Sequence, residues 1–587
     1  MSGICGWVGE PDVTTLTRML DAIEYRGDST AREQAHGASL GYRFWAGRPG
    51  KSAGIVREGT RVITCAGTLA PPVASPGHDL LTRLATDRFD DLDGAFAFAA
   101  WDEDRNELVL GRDPFGVRSL YYVAHAGRFY FATELKQLLA IASLPVELDH
   151  AAIHKYLTFS FFPGGAVPVR GVQRVLPGQL LRYRTGAITT EPYFQLREAI
   201  DDELRDIRTA ARRVRELGRN AVVRRLNGEP EVGLFLSGGL DSSAVGLWLR
   251  DAGVKVRAVS LDFGEHSLER EPAAEVARSL DTPLELVRAS ATEIAEVFWD
   301  VVQRLDLPFG DPVTAPQYLL GEAARAAGLI AVFNGEGGDQ LFGGWTSKPM
   351  IAAELFGQLY EHQQETREET YLTSYHRFYG LEDALYTTSF RESVGGPGQR
   401  RALLAPYLGD DRAGALLNRV RLADISLKGS QNILPRAERM TNAHGLDVRV
   451  PLFDRKLAEA SFAIPPELKL HGACEKYVLK VALQNRLPDD IVWRRKYGMS
   501  VPITDFIIGP RDPNGPSRPG PLGELVRELL GRSALERRGL FRAAYVDDLL
   551  SGKDVPNEVR RRRVGERLWT LAMLEAWMRV FLDRRVA

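Results

Sequence analysis

The stretch Glu231-Val-Gly-Leu-Phe-Leu-Ser-Gly-Gly-Leu-Asp-Ser-Ser-Ala244 decides the fold of the larger part of this chain. Its apolar run ends at a glycine-rich loop, and the loop leads directly into the helical apolar pattern of residues 245–249. The order is strand, loop, helix. Backbone N–H groups at such a loop, together with the positive end of the helix dipole, form a site for phosphate. The Gly-Lys-Ser/Thr ending of the Walker loop is missing, so the sequence predicts a phosphate site of another kind.

A second glycine-dense loop carries two carboxylates, Glu336 and Asp339. Residues 329–333 read as a buried strand, and Asn334-Gly-Glu-Gly-Gly-Asp-Gln-Leu-Phe-Gly-Gly344 follows it. Carboxylates between buried apolar flanks are costly unless they meet a cation or an electrophile. We therefore predict that both are site residues. Asp241 of the first loop, flanked by hydroxyls, is the kind of hard oxygen ligand that holds Mg²⁺.

The composition fits a soluble cytoplasmic enzyme with more than one core. The chain has 587 residues, of which 44% are hydrophobic and 26% charged, and its formal net charge is −2. This charge predicts no general attraction to nucleic acid or membrane. The three cysteines are too few and too scattered for a disulfide framework or a metal cluster. No signal peptide or apolar stretch of spanning length is found.

Three further stretches follow the two loops in order. They are Glu438-Arg-Met-Thr-Asn-Ala-His-Gly-Leu-Asp-Val-Arg-Val-Pro-Leu-Phe-Asp454, Lys476-Tyr-Val-Leu, and Leu487-Pro-Asp-Asp-Ile-Val-Trp-Arg-Arg-Lys-Tyr-Gly-Met-Ser-Val-Pro502. With the two loops, this set resembles the synthetase domain of the asparagine synthetase family, which includes β-lactam synthetases, carbapenam synthetases and lasso-peptide cyclases. The resemblance implies that residues 201–587 form a doubly wound α/β domain of the ATP pyrophosphatase type, which cleaves ATP between its α- and β-phosphates to leave an acyl-adenylate.

The resemblance also implies roles for single residues. Asp241 and Asp339 are expected to hold Mg²⁺, Lys496 to stabilise charge during adenylation and amide formation, and Glu336 to face the reacting acyl group or its nucleophile. The ATP-binding positions that it implies are Leu236, Ser237, Gly238, Gly239, Asp241, Ser242, Ser243, Ser260, Leu261, Asp262 and Gly335.

One catalytic pair stays unassigned at this point. The β-lactam and carbapenam enzymes add a Tyr-Glu pair near the nucleophile, and the sequence alone does not place it among Tyr371, Tyr375 and Tyr379.

Residues 2–200 resemble the family's glutaminase domain, an Ntn-hydrolase with an αββα sandwich. The matching stretches include Ser2-Gly-Ile-Cys-Gly-Trp-Val, Arg26-Gly-Asp and Gly111-Arg-Asp-Pro-Phe-Gly-Val-Arg. The family's nucleophile is a cysteine directly after the initiator Met, and here that position is Ser2. A hydroxyl is a far weaker nucleophile than a thiol near neutral pH unless it is strongly activated. Cys5 cannot replace it, because it has no free α-amine.

The glutamine pocket of this domain is altered as well. Active relatives bind glutamine and complete the oxyanion hole with an Asn-Gly-Glu turn, and the matching stretch here is Ala66-Gly-Thr68. Arg43 and Asp79 are retained at the positions that would hold the carboxylate and amine of glutamine. Loss of an oxyanion-hole donor costs on the order of a hundredfold or more in rate. We therefore expect a scaffold without glutaminase activity.

These expectations combine into an AMP- and pyrophosphate-forming amide ligase that uses ATP and Mg²⁺ on a substrate with a carboxylate and an amine. Without glutamine as nitrogen donor, an intramolecular amide is favoured, either a lasso-peptide macrolactam or a β-lactam in natural-product biosynthesis. A lasso cyclase acts on a ribosomal peptide and needs a peptidase and a leader-binding protein as partners. The alternatives are a glutamine-dependent asparagine synthetase or amidotransferase, an intermolecular ligase that takes free ammonia or another amine, and an inactive scaffold protein. The oligomeric state is not indicated.

Overall fold

A computed structural model describes residues 2–48, 54–344, 350–352, 366–375, 377–396, 398–409, 411–494, 501–510, 519–552 and 558–583. Two six-stranded antiparallel sheets form its N-terminal part. The first has the strand order β10-β8-β9-β1-β3-β2 and the second β12-β11-β7-β6-β5-β4. Their strands are β1 (Gly3–Val8), β2 (Ser29–Ala35), β3 (Ala38–Phe44), β4 (Ile55–Glu58), β5 (Arg61–Leu69), β6 (Gly94–Asp102), β7 (Glu107–Arg112), β8 (Tyr121–His125), β9 (Arg128–Ala132), β10 (Gln173–Arg174), β11 (Gln179–Arg184) and β12 (Ala187–Pro192).

The two sheets pack face to face, with a helix on each outer face. Strand β6 shows why, because successive side chains of a strand point to opposite faces. Ala97, Ala99 and Trp101 pack against the first sheet, whereas Phe96 and Phe98 pack under the helix Pro76–Thr86. The helix Val13–Asp21 packs on β1 and β3. This αββα sandwich confirms the predicted fold of the N-terminal part.

A five-stranded parallel sheet organises the C-terminal part. Its strands are β13 (Val232–Phe235), β14 (Val256–Asp262), β15 (Leu284–Arg288), β16 (Ala331–Asn334) and β17 (Asp447–Arg449), in the order β15-β14-β13-β16-β17. Every neighbouring pair is parallel. The helices Leu240–Asp251, Arg270–Ser279 and Thr314–Ala326 connect or cover these strands. The doubly wound α/β fold is therefore confirmed, and β16 begins two residues later than predicted.

Helices account for most of the remaining chain. Other helices before residue 398 are Leu135–Leu139, His150–Phe159, Ile207–Val223, Ala291–Glu296, Phe298–Leu305, Gly338–Phe342, Arg367–Ser374, Glu382–Leu385 and Thr388–Ser393. Those that follow are Gly398–Leu408, Leu416–Ala423, Leu434–Asn442, Arg455–Ala463, Tyr477–Leu483, Asp489–Val492, Ile503–Ile508, Pro521–Leu529, Arg532–Arg538, Ala543–Ser551 and Glu558–Trp577. Two π-helical segments, Asp424–Ile433 and Met578–Leu582, continue helices that precede them. The predicted domain boundary after residue 200 lies before the helix Ile207–Val223 and stays a prediction.

Buried ion pairs join the two parts of the chain. Arg26, in the N-terminal part, pairs with Glu134 and with Glu438, and Arg118 pairs with the same Glu438. The Glu438 side chain is 3% exposed. Although burial opposes its ionisation, the two arginines hold the pKa of Glu438 at about 2. A buried charge without its partner is costly, so the stability of this interface depends on all four residues together.

A membrane-spanning helix is not found in the described part of the chain, where no helix is both long and apolar enough to cross a bilayer.

Candidate active site

A cavity of about 900 Å³ lies at the carboxyl ends of β13, β14 and β16. Open parallel sheets bind ligands at the point where the chain leaves neighbouring strands in opposite directions. Here β14 lies on one side of β13 and β16 on the other. The SGGLDSS loop (residues 237–243) follows β13 and the acidic loop (residues 334–344) follows β16, so the two loops flank this point. The volume is near the upper end for small-molecule sites, which reach about 1,000 Å³.

Hydroxyl groups fix the backbone of the SGGLDSS loop. Ser237 Oγ accepts a hydrogen bond from Gly239 N at 3.2 Å and lies 3.1 Å from Ser242 Oγ. Ser243 Oγ donates to Gly239 O at 2.7 Å and does not line the cavity, so it stabilises the first turn of the helix Leu240–Asp251. Ser237, Gly239 and Ser242 do line the cavity and present the helix N-terminus to it.

Glycine is required at position 238 for packing. Its φ is +66°, and a Cβ there would lie 2.4 Å from backbone atoms of Pro272 and Ala273. These two residues belong to the helix Arg270–Ser279. The SGGLDSS loop is therefore pressed against the start of a second helix.

The two loops interlock through glycines of the acidic loop. A Cβ at Gly335 would lie 2.5 Å from Ser242 N, and a Cβ at Gly338 would lie 2.1 Å from Asp241 Oδ1. Because neither position has space for a side chain, the carboxylate of Asp241 reaches the start of the helix Gly338–Phe342. Asp339 lies in the first turn of that helix.

Lys476 bridges the two aspartates. Its Nζ lies 2.5 Å from Asp241 Oδ2 and 2.7 Å from Asp339 Oδ1, and its side chain is 3% exposed. Burial alone would lower the pKa of this ammonium, but the two carboxylates raise it above its ordinary value. The group is therefore charged at neutral pH. The motif that contains Lys476 was recognised in the sequence, but its position between Asp241 and Asp339 was not.

The donor set fits Mg²⁺ carried by a nucleotide. Asp241 Oδ1 is buried without a hydrogen-bond partner among the described residues. No group of three or more His, Cys, Asp or Glu side chains suited to a metal occurs in that part of the chain. Mg²⁺ is commonly held by one or two carboxylates together with substrate phosphates. Asp241 and Asp339 would thus hold the metal while the nucleotide and water complete its coordination.

Glu336 is anchored by an arginine. Arg436 Nη2 lies 2.8 Å from Glu336 Oε1, and Arg436 Nε donates to Gln317 Oε1 at 2.9 Å. Arg436 also pairs with Asp311. All four side chains line the cavity. Since the charge of Glu336 is compensated, its carboxylate is suited to orienting a substrate group.

A tyrosine and an aspartate pair at another part of the cavity wall. Tyr371 OH donates to Asp424 Oδ1 at 2.7 Å and lies 3.2 Å from Tyr375 OH. Burial, and then the negative charge of Asp424, raise the pKa of Tyr371 above its ordinary value. The structure thus shows a Tyr–Asp pair, whereas the pair that the resemblance implies is Tyr–Glu, and no local signal in the sequence connects positions 371 and 424.

The ATP-binding positions that were predicted at residues 260–262 line the cavity only in part. Ser260 and Leu261 of β14 line the cavity together with Leu236 and Gly335. Asp262 does not line it, and its Oδ1 accepts a hydrogen bond from Arg270. Lys496, predicted to be catalytic, lies outside the described residues.

Glu269 is a further ionisable residue of this cavity. It directly precedes the helix Arg270–Ser279, against which Gly238 packs. Burial raises the pKa of Glu269 to about 7, Arg494 opposes this shift, and the charge of Glu336 adds to it. Arg494 in turn donates to Gly238 O at 3.2 Å. The carboxyl group of Glu269 therefore changes charge near neutral pH, beside the SGGLDSS loop.

We expect the affinity for a non-cleavable ATP analogue to fall about three- to tenfold from about pH 6 to about pH 8. The neutral carboxyl group at low pH becomes an anion that repels the triphosphate, and Glu269→Gln should remove most of this fall. Isothermal titration calorimetry at the two pH values measures it, with the exposed Glu265→Gln as control. If Glu269→Gln keeps the full pH dependence, Glu269 does not face the phosphates.

Ser2 is buried in the N-terminal part. Ser2 is 1% exposed, and its Oγ accepts a hydrogen bond from Gly67 N at 3.1 Å. Ala66 and Thr68 lie within β5, paired with Ala97 and Ala95 of β6. Burial raises the pKa of the Cys5 thiol well above its ordinary value, so Cys5 carries no reactive thiolate.

The two retained glutamine-pocket residues are bonded within the chain. Arg43 Nε donates to Gly27 O at 2.9 Å, and Asp79 Oδ2 accepts from Arg83 Nε at 2.6 Å. Both side chains thus serve as local structural contacts in this conformation.

Comparison with known proteins identifies the family. The asparagine synthase family model matches residues 213–579, more than half of the chain, and the glutamine amidotransferase domain model matches residues 79–194. Asparagine synthetase [glutamine-hydrolyzing] 1 of Bacillus subtilis is 26% identical, covering 84% of this chain and 78% of its own. Asparagine synthetase [glutamine-hydrolyzing] 3 of the same organism is 27% identical, covering 84% and 86%. Amidase chry2 of Gibberella zeae is 25% identical, covering 78% and 76%.

The αββα sandwich, the parallel sheet and these matches define an ATP-dependent carbon–nitrogen ligase with a glutamine amidotransferase-like N-terminal part. The chain belongs to the asparagine synthase family.

Proposed function

We propose that this ligase joins an adenylated carboxylate to an amine that does not come from glutamine, and that both groups belong to one substrate. The observation that carries the proposal is the altered N-terminal site, in which a buried serine stands at the position of the nucleophile. Ser2 is 1% exposed there, and Arg43 and Asp79 are bonded to neighbouring groups of the chain. A hydroxyl in place of the thiol weakens the nucleophile further.

Adenylation would take place at the SGGLDSS loop. A carboxylate oxygen of the substrate attacks the α-phosphorus of ATP, the bond from this phosphorus to the oxygen that bridges it to the β-phosphorus breaks, and pyrophosphate leaves. Backbone N–H groups of the loop and the cavity-lining cations Lys476, Lys480 and Arg494 neutralise the charge of the leaving group. Asp241 and Asp339 would hold Mg²⁺, which supplies further positive charge when bound.

Amide formation would follow in the same cavity. The amine nitrogen attacks the acyl carbon, and AMP leaves with the former carboxylate oxygen. The proton of the amine passes to the pair Tyr371–Asp424, which lines the cavity. Glu336, fixed by Arg436, orients the acyl group. Lys496 is proposed to stabilise the charge that develops in both steps.

If the amide forms within one substrate molecule, the product would be a macrolactam or a β-lactam. For a macrolactam the substrate would be a ribosomal peptide, and a peptidase and a leader-binding protein would be the partners. These assignments rest on the family resemblance and on the burial of Ser2 in the N-terminal part.

A second candidate function is glutamine-dependent amidation. The names of the Bacillus subtilis relatives describe glutamine-hydrolysing enzymes, and Arg43 and Asp79 are retained. This function requires the Ser2 site to open and Ser2 to act as nucleophile.

Formation of AMP from ATP, with a panel of amine-bearing carboxylates and peptides, tests the proposal. We expect AMP and a dehydrated product by mass spectrometry without glutamine or ammonium. Lys496→Met should abolish the product while retaining nucleotide binding, with the exposed Lys255→Gln as control. If AMP forms only when aspartate and glutamine are supplied together, the second candidate is correct.

A further inference from the structure

The position of Lys476 conflicts with a divalent metal bound alone. Mg²⁺ lies about 2.0–2.1 Å from its oxygen ligands. A metal shared by Asp241 Oδ2 and Asp339 Oδ1 would therefore occupy almost the place of the Lys476 Nζ, which is 2.5 Å and 2.7 Å from these atoms. Two cations cannot share this space, so a metal bound through these two oxygen atoms would have to replace the ammonium.

The backbone around Lys476 holds the side chain in this place. Lys476 has φ +55°, in the left-handed region that residues other than glycine rarely adopt. The next residue is fixed, because Tyr477 N donates to Lys469 O at 3.0 Å and its ring stacks on His471. Strained conformations of this kind persist where the surroundings fix them, often at functional sites.

A bound nucleotide would change which cation neutralises Asp241 and Asp339, the ammonium of Lys476 or Mg²⁺. Two carboxylates leave most of the coordination positions of Mg²⁺ to water, and the triphosphate supplies further oxygen ligands. The same triphosphate offers the ammonium of Lys476 new oxygen acceptors within the cavity that it lines. The lysine can then leave the carboxylates without becoming an unpaired buried charge.

We propose that Lys476 is a resident counter-ion of the Asp241–Asp339 pair, which excludes free divalent metal and admits it only together with the nucleotide. This inference rests on the proposed metal site. It makes Lys476 a positioning residue that sets the order of binding.

Titration with Mn²⁺, a paramagnetic substitute for Mg²⁺, tests this order without turnover. Electron paramagnetic resonance counts free Mn²⁺ without nucleotide, and water-proton relaxation detects the protein-bound complex with α,β-methylene-ATP. We expect the wild-type protein to bind Mn²⁺ at this site only with the nucleotide. Lys476→Gln should bind Mn²⁺ alone at least about tenfold more tightly than wild type, equivalent to about 1.4 kcal/mol.

The controls assign the new metal site to the aspartates. The double variant Asp241→Asn/Lys476→Gln should lose the Mn²⁺ site. Lys480→Gln should not create such a site, although Lys480 lies one turn further along, in the helix Tyr477–Leu483. Circular dichroism confirms folding, and Lys476→Met replaces Lys476→Gln if the latter does not fold.

Three results would overturn the inference. They are Mn²⁺ binding by nucleotide-free wild type that Asp241→Asn removes, folded Lys476 variants that bind no Mn²⁺, and wild type that binds none even with the nucleotide. The last result would also remove the proposed metal site, whereas the first two leave that site and the proposed reaction intact.

Discussion

Asp241→Asn is expected to weaken binding of the Mg²⁺–ATP complex at least about a hundredfold, or about 2.7 kcal/mol. The substitution removes one of the two carboxylates proposed to hold the metal. Gly338 packs directly against this carboxylate and leaves no space for another side chain that could replace it. An amide oxygen carries no net charge and is a much poorer partner for a divalent cation. Isothermal titration calorimetry with the Mg²⁺ complex of α,β-methylene-ATP measures the loss.

Asp251→Asn is the matched control, because Asp251 ends the same helix and pairs with Arg486 outside the cavity. We expect its affinity for the complex to equal that of wild type. Unchanged affinity in Asp241→Asn would exclude Asp241 from the metal site.

Glu438→Gln should lower the free energy of unfolding by about 3–5 kcal/mol, because it leaves the guanidinium groups of Arg26 and Arg118 without their shared carboxylate in a buried interface. Urea denaturation followed by circular dichroism measures the change. Glu459→Gln is the control, since Glu459 is 49% exposed and forms a surface pair with Arg455. Such pairs contribute about 0–1 kcal/mol.

The effect also has a defined pH dependence. The folded-state pKa of Glu438 is about 2, below its ordinary value of 4.5. Its stabilising contribution is therefore complete above about pH 4.5 and is lost as the pH falls towards 2. The wild-type protein should lose stability over this range more steeply than Glu438→Gln. Equal stability of the two proteins at neutral pH would contradict the role assigned to this network.

The fold could be predicted where local patterns carry it. The apolar run before Ser237 and the helical pattern after Asp241 predict strand, loop and helix, and the order of motifs indicates a parallel sheet. The near-continuous burial of β6 was not predicted, because it arises only when one face meets another sheet and the other face meets a helix.

The candidate site was predictable only for residues next to a motif. Asp241, Glu336 and Asp339 lie on loops with clear signals, and the structure brings them to one cavity. The contact between Lys476 and Asp241 joins residues 235 positions apart in the sequence, and no local sequence pattern indicates it. The burial of Ser2 also depends on contacts distant in sequence, such as its bond to Gly67.

Release of glutamate from glutamine, by wild type and by Ser2→Cys, tests the central claim most directly. Mass spectrometry of the N-terminus first establishes that Met1 has been removed and that position 2 carries a free α-amine. We expect no glutamate from either protein, because residue 2 is buried and the pocket is altered as well as the nucleophile. Glutamate release by either protein would contradict this expectation and would identify a glutamine-dependent amidotransferase.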